Sequence, residues 1–231
     1  MKKGHIFLIG TIVLCSVIMG LVFSSKASST NQDAHAKKKV ETNVTKKDVD
    51  EKSPGLTVES NGDIETIYSD IQSLTKEADV IFEGEVLSTK TKYYKDITIP
   101  STVSQVKVVK ATSGNIRVGD VLTFEEIGGF TTQKYVKESS GRDFPLSKSE
   151  EKQPVEFKVN GISAMKNGEK VILFGGKNKD ETYSVIGVYQ GKFRIEGDII
   201  QRVVPKGDEG MYSSLQMNQA SLEKEVNQFK K

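Results

Sequence analysis

The chain has 231 residues, 36% hydrophobic and 28% charged, which is enough for one domain with a buried core plus extensions and too short for two large domains. Residues 63–207 hold 21 Lys plus Arg against 21 Asp plus Glu, so the expected globular part is neutral and lacks the basic excess that nucleic-acid binding needs. The single cysteine, Cys15, lies in an apolar N-terminal run, which excludes disulfides and cysteine-ligated metal from the rest of the chain.

Lys2 and Lys3 precede "HIFLIGTIVLCSVIMGLVF", the pattern of a secretory signal or a signal anchor. The apolar stretch 6–23 is about the minimum length of a membrane-spanning helix at roughly 1.5 Å per residue, so length does not separate the two. Ser25 and Ala27 occupy the small-residue positions of a cleavage site, which makes Ala27 the candidate cleavage residue; "AHA" at 34–36 is a second candidate, and retention as an anchor is the alternative. Lipid attachment at Cys15 would need a small residue before it, and Leu14 does not fit. Either way the segment implies an extracytoplasmic protein, secreted or held at the membrane through residues 6–23. Residues 1–27 are therefore set apart from the fold.

Residues 28–62 are polar and aperiodic, with lysine runs at 37–39 and 46–47. Such a stretch cannot bury enough apolar area to offset its chain entropy, and it is expected to be a disordered spacer. Its lysines could meet anionic polymers of the cell envelope or simply be solvated.

The expected domain, 63–207, opens on "DIETIYSDIQSLTKEAD". Ile64, Ile67, Ile71 and Leu74 make one apolar stripe of an amphipathic helix with Asp63 as N-cap. "ADVIFEGEV" follows directly as a strand, with Val80, Phe82, Gly84 and Val86 on one face and Glu83 and Glu85 on the other, solvent-facing one. An inward glycine suits a sheet that coils sharply, as in a small barrel. "SQVKVVKA" and "VLTFEEIGGF" give two more strands, the latter ending at Gly128 and Gly129, and "EKVILFGG" suits a strand covered on both sides. "TYSVIGVYQGKFRIEGDIIQRVV" reads as a strand, a break near Gly191 and a hairpin turning at Glu196, Gly197 and Asp198. Residues 131–160, mostly polar and containing Pro145 and Pro154, read as a long loop. At the end, 208–231, Leu215, Leu222, Val226 and Phe229 mark an amphipathic helix that docks on the barrel or meets a partner.

His5 and His35 both fall before the domain, so it carries no Ser-His or Cys-His pair and no histidine zinc site. The "GG" pairs at Gly128 and Gly175 lack the Lys-Ser/Thr of a phosphate loop. Glu125 and Glu126 are adjacent in a strand and point to opposite faces, a poor basis for a carboxylate hydrolase. No catalytic residue, metal ligand or cofactor site is assigned.

The order helix, "ADVIFEGEV", "VKVVKATSG", "VGDVLTF", "GG", "GEKVILF" and "GKF", spanning about Ile64 to Val204, resembles a group of small uncharacterised exported proteins of Gram-positive bacteria. More distantly it is similar to the netrin-like module shared with tissue inhibitors of metalloproteinases. That resemblance implies an OB-like barrel. It does not carry protease inhibition, because those inhibitors use disulfides and an N-terminal cysteine that this chain lacks. The expectation is a mainly β protein: a five- to six-stranded OB-like barrel with an N-terminal and a C-terminal helix. Its function would be non-enzymatic binding of a protein partner at the cell surface, with Tyr93, Tyr94 and Phe130 as the contact residues; the alternatives are that these aromatics cap the barrel ends, or that the lysine-rich spacer binds envelope polymer.

Overall fold

In a computed structural model the described residues are 56–95, 97–205 and 215–230, within one unit that spans Asp50–Lys231. The signal or anchor segment, Ala27 and spacer residues 28–55 lie outside them. No helix among the described residues is long and apolar enough to cross a membrane.

The described residues are mainly β, with a closed five-stranded barrel and three α-helices among them. The barrel strands are β2 (Val80–Lys92), β3 (Ser101–Ser113), β4 (Val121–Ile127), β7 (Lys170–Lys177) and β8 (Tyr183–Val185). The ring runs β2, β3, β4, β8, β7 and back to β2; all contacts are antiparallel except the β4–β8 closure, a single parallel pair Phe124↔Tyr183. One edge of β7 pairs with β2, and the other is shared between β8 and β9 (Lys192–Glu196). From β9 the sheet leaves the ring through β10 (Ile199–Arg202) and β11 (Gln216–Asn218). The β9–β10 hairpin turns at Gly197, φ 63°, where the sequence places it.

Two cores follow from this layout. Inside the barrel lie Phe82, Val86, Val106, Val108, Phe124, Val171 and Leu173. Outside it, Ile81, Ile172, Phe174, Phe193 and Ile200 pack under Ile71 and Leu74 of α1 (Ile71–Glu77) and Leu222 and Val226 of α3 (Gln219–Phe229). Strands β2 and β7 are thus buried on both faces, which is why "VIF" and "VILF" are continuously apolar. Gly84 faces the barrel interior beside a register shift; a Cβ there would lie 2.6 Å from Val106 Cγ1 and 2.7 Å from Phe82 Cε2. Glycine is what lets β2 and β3 coil this tightly.

Four expectations change. The first helix is α1, capped by Asp70, whose Oδ1 accepts from Ser73 N at 2.7 Å, and not by Asp63. Before it the chain is held extended by the Gln190 amide, which accepts from Tyr68 N at 2.7 Å and donates to Thr66 O at 2.9 Å. A tertiary partner therefore takes the backbone groups that helix hydrogen bonds would have used, and Ile67 remains 46% exposed. Second, Leu56–Ser60, assigned to the spacer, forms β1, parallel to β6 (Pro154–Val159). It has one buried apolar side chain, Val58, and is stable only because a partner strand is present. Third, residues 131–160 are not a long loop. β5 (Gly129–Thr132) and β6 pair antiparallel, α2 (Gln133–Ser140) lies between them, and a 3₁₀ turn, Glu150–Lys152, precedes β6. The order β1-β6-β5 makes a second small sheet. Fourth, the Glu83 and Glu85 face is half-buried: Glu83 Oε2 accepts from Gln219 Nε2 of α3 at 2.7 Å.

Val188 sits at φ 68° in the turn before β9, held by the Tyr189 N to Gly187 O bond of 2.8 Å and the Gly191 N to Ile186 O bond of 2.9 Å. A β-branched residue is strained there. The substitution Val188→Gly is expected to raise stability by about 0.5–1 kcal/mol, the left-handed penalty removed less the added chain entropy of glycine. A lower thermal midpoint in the variant would show that the Val188 side chain contributes more than its backbone costs.

Candidate functional site

One end of the barrel concentrates exposed aromatic side chains. β2 runs on past the ring to Lys92 and the turn at Tyr93 and Tyr94, and there it meets the start of the second sheet, where Thr91 Oγ1 donates to Phe130 O at 2.7 Å. The chain crosses from β4 to β5 through Gly128 (φ 100°) and Gly129 (φ 117°); a Cβ on Gly128 would sit 2.9 Å from Phe157 O. Only glycine lets both strands approach here.

Tyr93, Tyr94 and Phe130 are 49%, 37% and 38% exposed, and their backbones converge while their side chains take three settings. The Tyr93 hydroxyl lies 3.0 Å from Thr131 Oγ1, and its ring packs tilted, at 4.3 Å between centroids, on Tyr135 of α2, whose hydroxyl donates to Ile97 O at 3.3 Å. Burial raises the Tyr135 phenol pKa, with the Tyr93 hydroxyl adding to the effect. Tyr94 donates to Glu125 Oε1 at 2.5 Å, and the Lys92 ammonium lies 4.5 Å from its ring centroid and 2.9 Å from Glu125 Oε2. Desolvation pushes the Glu125 carboxyl up, but hydrogen bonds from Tyr94 and Lys92 outweigh it and hold the group below its ordinary value. The same contacts, with Tyr94 first and Glu125 second, raise the Lys92 ammonium. Phe130 lies on the other side of β5 under the Lys166 ammonium, 5.3 Å from its ring centroid.

Glu125 and Glu126 do diverge. Glu126 turns inward to the Lys192 ammonium at 2.6 Å and accepts from Met165 N at 2.8 Å, so the two carboxylates share no cleft. Among the described residues no three His, Cys, Asp or Glu side chains group to hold a metal. Below Phe130 a cavity of about 100 Å³ opens at the barrel mouth, bordered by Thr89, Lys90, Thr102, Glu156, Lys166 and Asn167. A wider cleft of about 520 Å³ between β9–β10 and the 161–163 turn is lined by Lys158, Arg194 and Glu196, and its Arg194 lies 3.4 Å from Glu169.

Sequence reasoning missed Tyr135, Lys166 and Glu156, all placed by the second sheet or the turn after it. For Tyr135 a signal existed: Thr132 caps α2 by accepting from Tyr135 N at 3.3 Å, and Gly141 ends it at φ 64°.

No protein-family model matches the chain, and no curated protein matches it.

Proposed function

We propose that this chain is an exported, non-enzymatic binding module, an OB-like barrel that docks a protein partner on its aromatic end. The ring order supports the OB-like reading: in chain order the barrel strands run first, second, third, fifth, fourth, and the third and fifth close it in parallel. The observation that carries the docking reading is that the backbones of Tyr93, Tyr94 and Phe130 meet at one end of the barrel, where each ring is more than a third exposed. The two tyrosine rings are fixed by hydrogen bonds and the Phe130 ring by the Lys166 ammonium, so they lose little entropy on binding, and aromatic residues are enriched among the anchors of protein interfaces. Isolated exposed apolar residues need no explanation, but three large rings brought to one barrel end by a turn and the start of a second sheet do.

The test uses the full chain immobilised and exposed to an extract of cell-surface proteins, with retained proteins identified by mass spectrometry. Tyr93→Ala and Phe130→Ala are each expected to weaken retention of a specific protein by about tenfold or more, the loss of a residue central to an interface. Retention that both variants leave unchanged, or that high salt abolishes, would sink the reading and favour polymer binding by the lysine-rich spacer.

A further inference from the structure

The outer part of β2 has a neighbour on one edge only. Val86 still pairs on the β7 side, where its N–H donates to Glu169 O at 2.9 Å and its C=O accepts from Gly168 N at 2.8 Å. The turn 166–169, closed by the Glu169 N to Lys166 O bond of 3.1 Å, then carries the chain away. β2 itself continues to Lys92, and among the described residues no strand pairs with its β7-side edge beyond Val86.

The register shows which main-chain groups face that side. Val108 of β3 turns to β4, since its N–H donates to Asp120 O at 2.8 Å and its C=O accepts from Gly119 N at 2.9 Å. From Val108 to Ser101 the β3 register runs without a skipped residue, so alternation sends the main-chain groups of Val106, Ser104 and Thr102 to β4 as well, and those of Gln105 and Val103 to β2. Their partners follow. Ser88 and Lys90, opposite Gln105 and Val103, turn to β3, whereas Thr89 and Thr91, opposite Ser104 and Thr102, turn away from it. Val86, opposite Val106, faces the same way, as its bonds to the 168–169 turn require. The unpaired edge therefore presents the N–H and C=O of Thr89 and of Thr91, roughly 7 Å apart along the strand.

Thr89, Lys90 and Thr91 all border the cavity of about 100 Å³ beneath Phe130, across from Lys166 and Asn167. Neighbouring strand residues point to opposite faces, so three in succession border one space when the strand presents its edge to it. Donors and acceptors repeating every second residue match an extended chain, and such an edge is a template for one. The recess limits where that chain comes from. Phe130 and the 164–167 segment stand beside the edge, and in a second copy the same edge is set back in the same way, so two copies do not reach each other while a single strand fits. At its outer end β2 runs into Tyr93 and Tyr94, so a segment lying along it passes from the recess onto the exposed rings.

We propose that the docked protein partner contributes an extended segment that adds as a strand to β2 at residues 89–91, bonded to the main-chain groups of Thr89 and Thr91 with Phe130 beside it. The inference rests on the docking reading of the aromatic end and names the form its partner takes there.

The first arm of the test uses phage-displayed random linear peptides, selected on the full chain and then titrated in solution. Peptides are expected to be selected, and in their complexes amide exchange should slow at Thr89 and Thr91 and change little at Ser88 and Lys90, which β3 already pairs. This pattern is read on the parent chain and holds whatever the variants do. Thr89→Pro removes the edge-facing N–H and puts a ring where the new strand would lie, so it is expected to weaken peptide binding by about tenfold. Proline is tolerated at such an edge position, and an amide spectrum unchanged away from 88–90 verifies the fold. Thr89→Val keeps the N–H and changes the side chain alone, and is expected to bind as the parent does. No selected peptide, protection elsewhere, or equal losses with Thr89→Pro and Thr89→Val overturns strand addition. Protection of Thr89 and Thr91 that grows with protein concentration in the absence of peptide assigns the edge to a second copy and overturns it too. Partner retention supplies the other arm. Retention lost with Tyr93→Ala and kept with Thr89→Pro preserves the docking surface and removes the strand from it. Peptide addition with retention indifferent to Tyr93→Ala and Phe130→Ala overturns the docked partner as the source of the strand.

Discussion

Lys192→Ala is expected to destabilise the protein by about 3–5 kcal/mol, because it leaves the Glu126 carboxylate buried without its counter-charge. The two side chains are 2% and 5% exposed and 2.6 Å apart, and each has a second bond: Lys192 donates to Ser163 O at 3.0 Å, and Glu126 accepts from Met165 N. The pair thus ties β4, β9 and the 163–165 turn together where the barrel meets its sheet extension. Its net worth is small even though breaking it is costly, since both charges were taken out of water to form it. The double variant Lys192→Met with Glu126→Gln, which removes both charges and keeps an acceptor for Met165 N, should recover most of the loss. Urea unfolding of the two variants decides it, through a shift of midpoint at constant slope. If Lys192→Ala costs no more than the same change at exposed Lys170, the pair is not the buried tie described here.

Phe124→Ala should cost about 3–5 kcal/mol and loosen the barrel at one seam. Phe124 is fully buried, packs on Phe82 at 5.8 Å and on Tyr183 at 5.5 Å between ring centroids, and is itself the β4 half of the only registered β4–β8 pair. Its ring also fills the space that glycine leaves at position 175, where a Cβ would lie 2.8 Å from Phe124 Cζ. Removing the ring opens a cavity and takes away the partner of Tyr183 at the closure. Amide exchange should therefore accelerate in β4 and β8 more than in β2 and β3, whose pairing is long. A coupling test sharpens this: Gly175→Ala is overpacked beside Phe124 and should be tolerated better with Phe124→Leu than alone. Strict additivity of those two changes would mean that ring and glycine do not share the space.

What could be read from the residues, and what could not, follows the range of the interaction responsible. Alternation in "SQVKVVKA", the continuous apolar runs "VIF" and "VILF", the glycine inside "FEGEV" and the Gly197 turn are local signals, and each element formed where its signal lay. The stripe Leu222 and Val226 likewise docks on the domain itself, against α1 and the outer core. Failures occurred where a distant group decided. Ile64 and Ile67 carry helical spacing, yet Gln190, 122 positions beyond Tyr68, claims the backbone before α1. Leu56–Ser60 offers only the brief alternation of Leu56 and Val58 within a polar stretch, and its pairing comes from β6, about a hundred residues away.

The candidate site divides in the same way. Tyr93, Tyr94 and Phe130 stand out in the sequence as large rings beside turn residues. Their grouping at one barrel end, with Tyr135 under Tyr93 and Lys166 over Phe130, depends on the second sheet, whose strands β5 and β6 flank α2. The cavity below Phe130 and the buried Glu126–Lys192 pair depend on register and on contacts that for the pair span 66 positions. By itself, then, the sequence determined the strands of the barrel, the inward glycine and the docking stripe of the last helix, because hydrophobic period and turn chemistry act over a few neighbouring residues. Only the tertiary structure decided the ring closure, the second sheet and the composition of the mouth, because pairing, burial and charge compensation belong to residues that meet solely once the chain has folded.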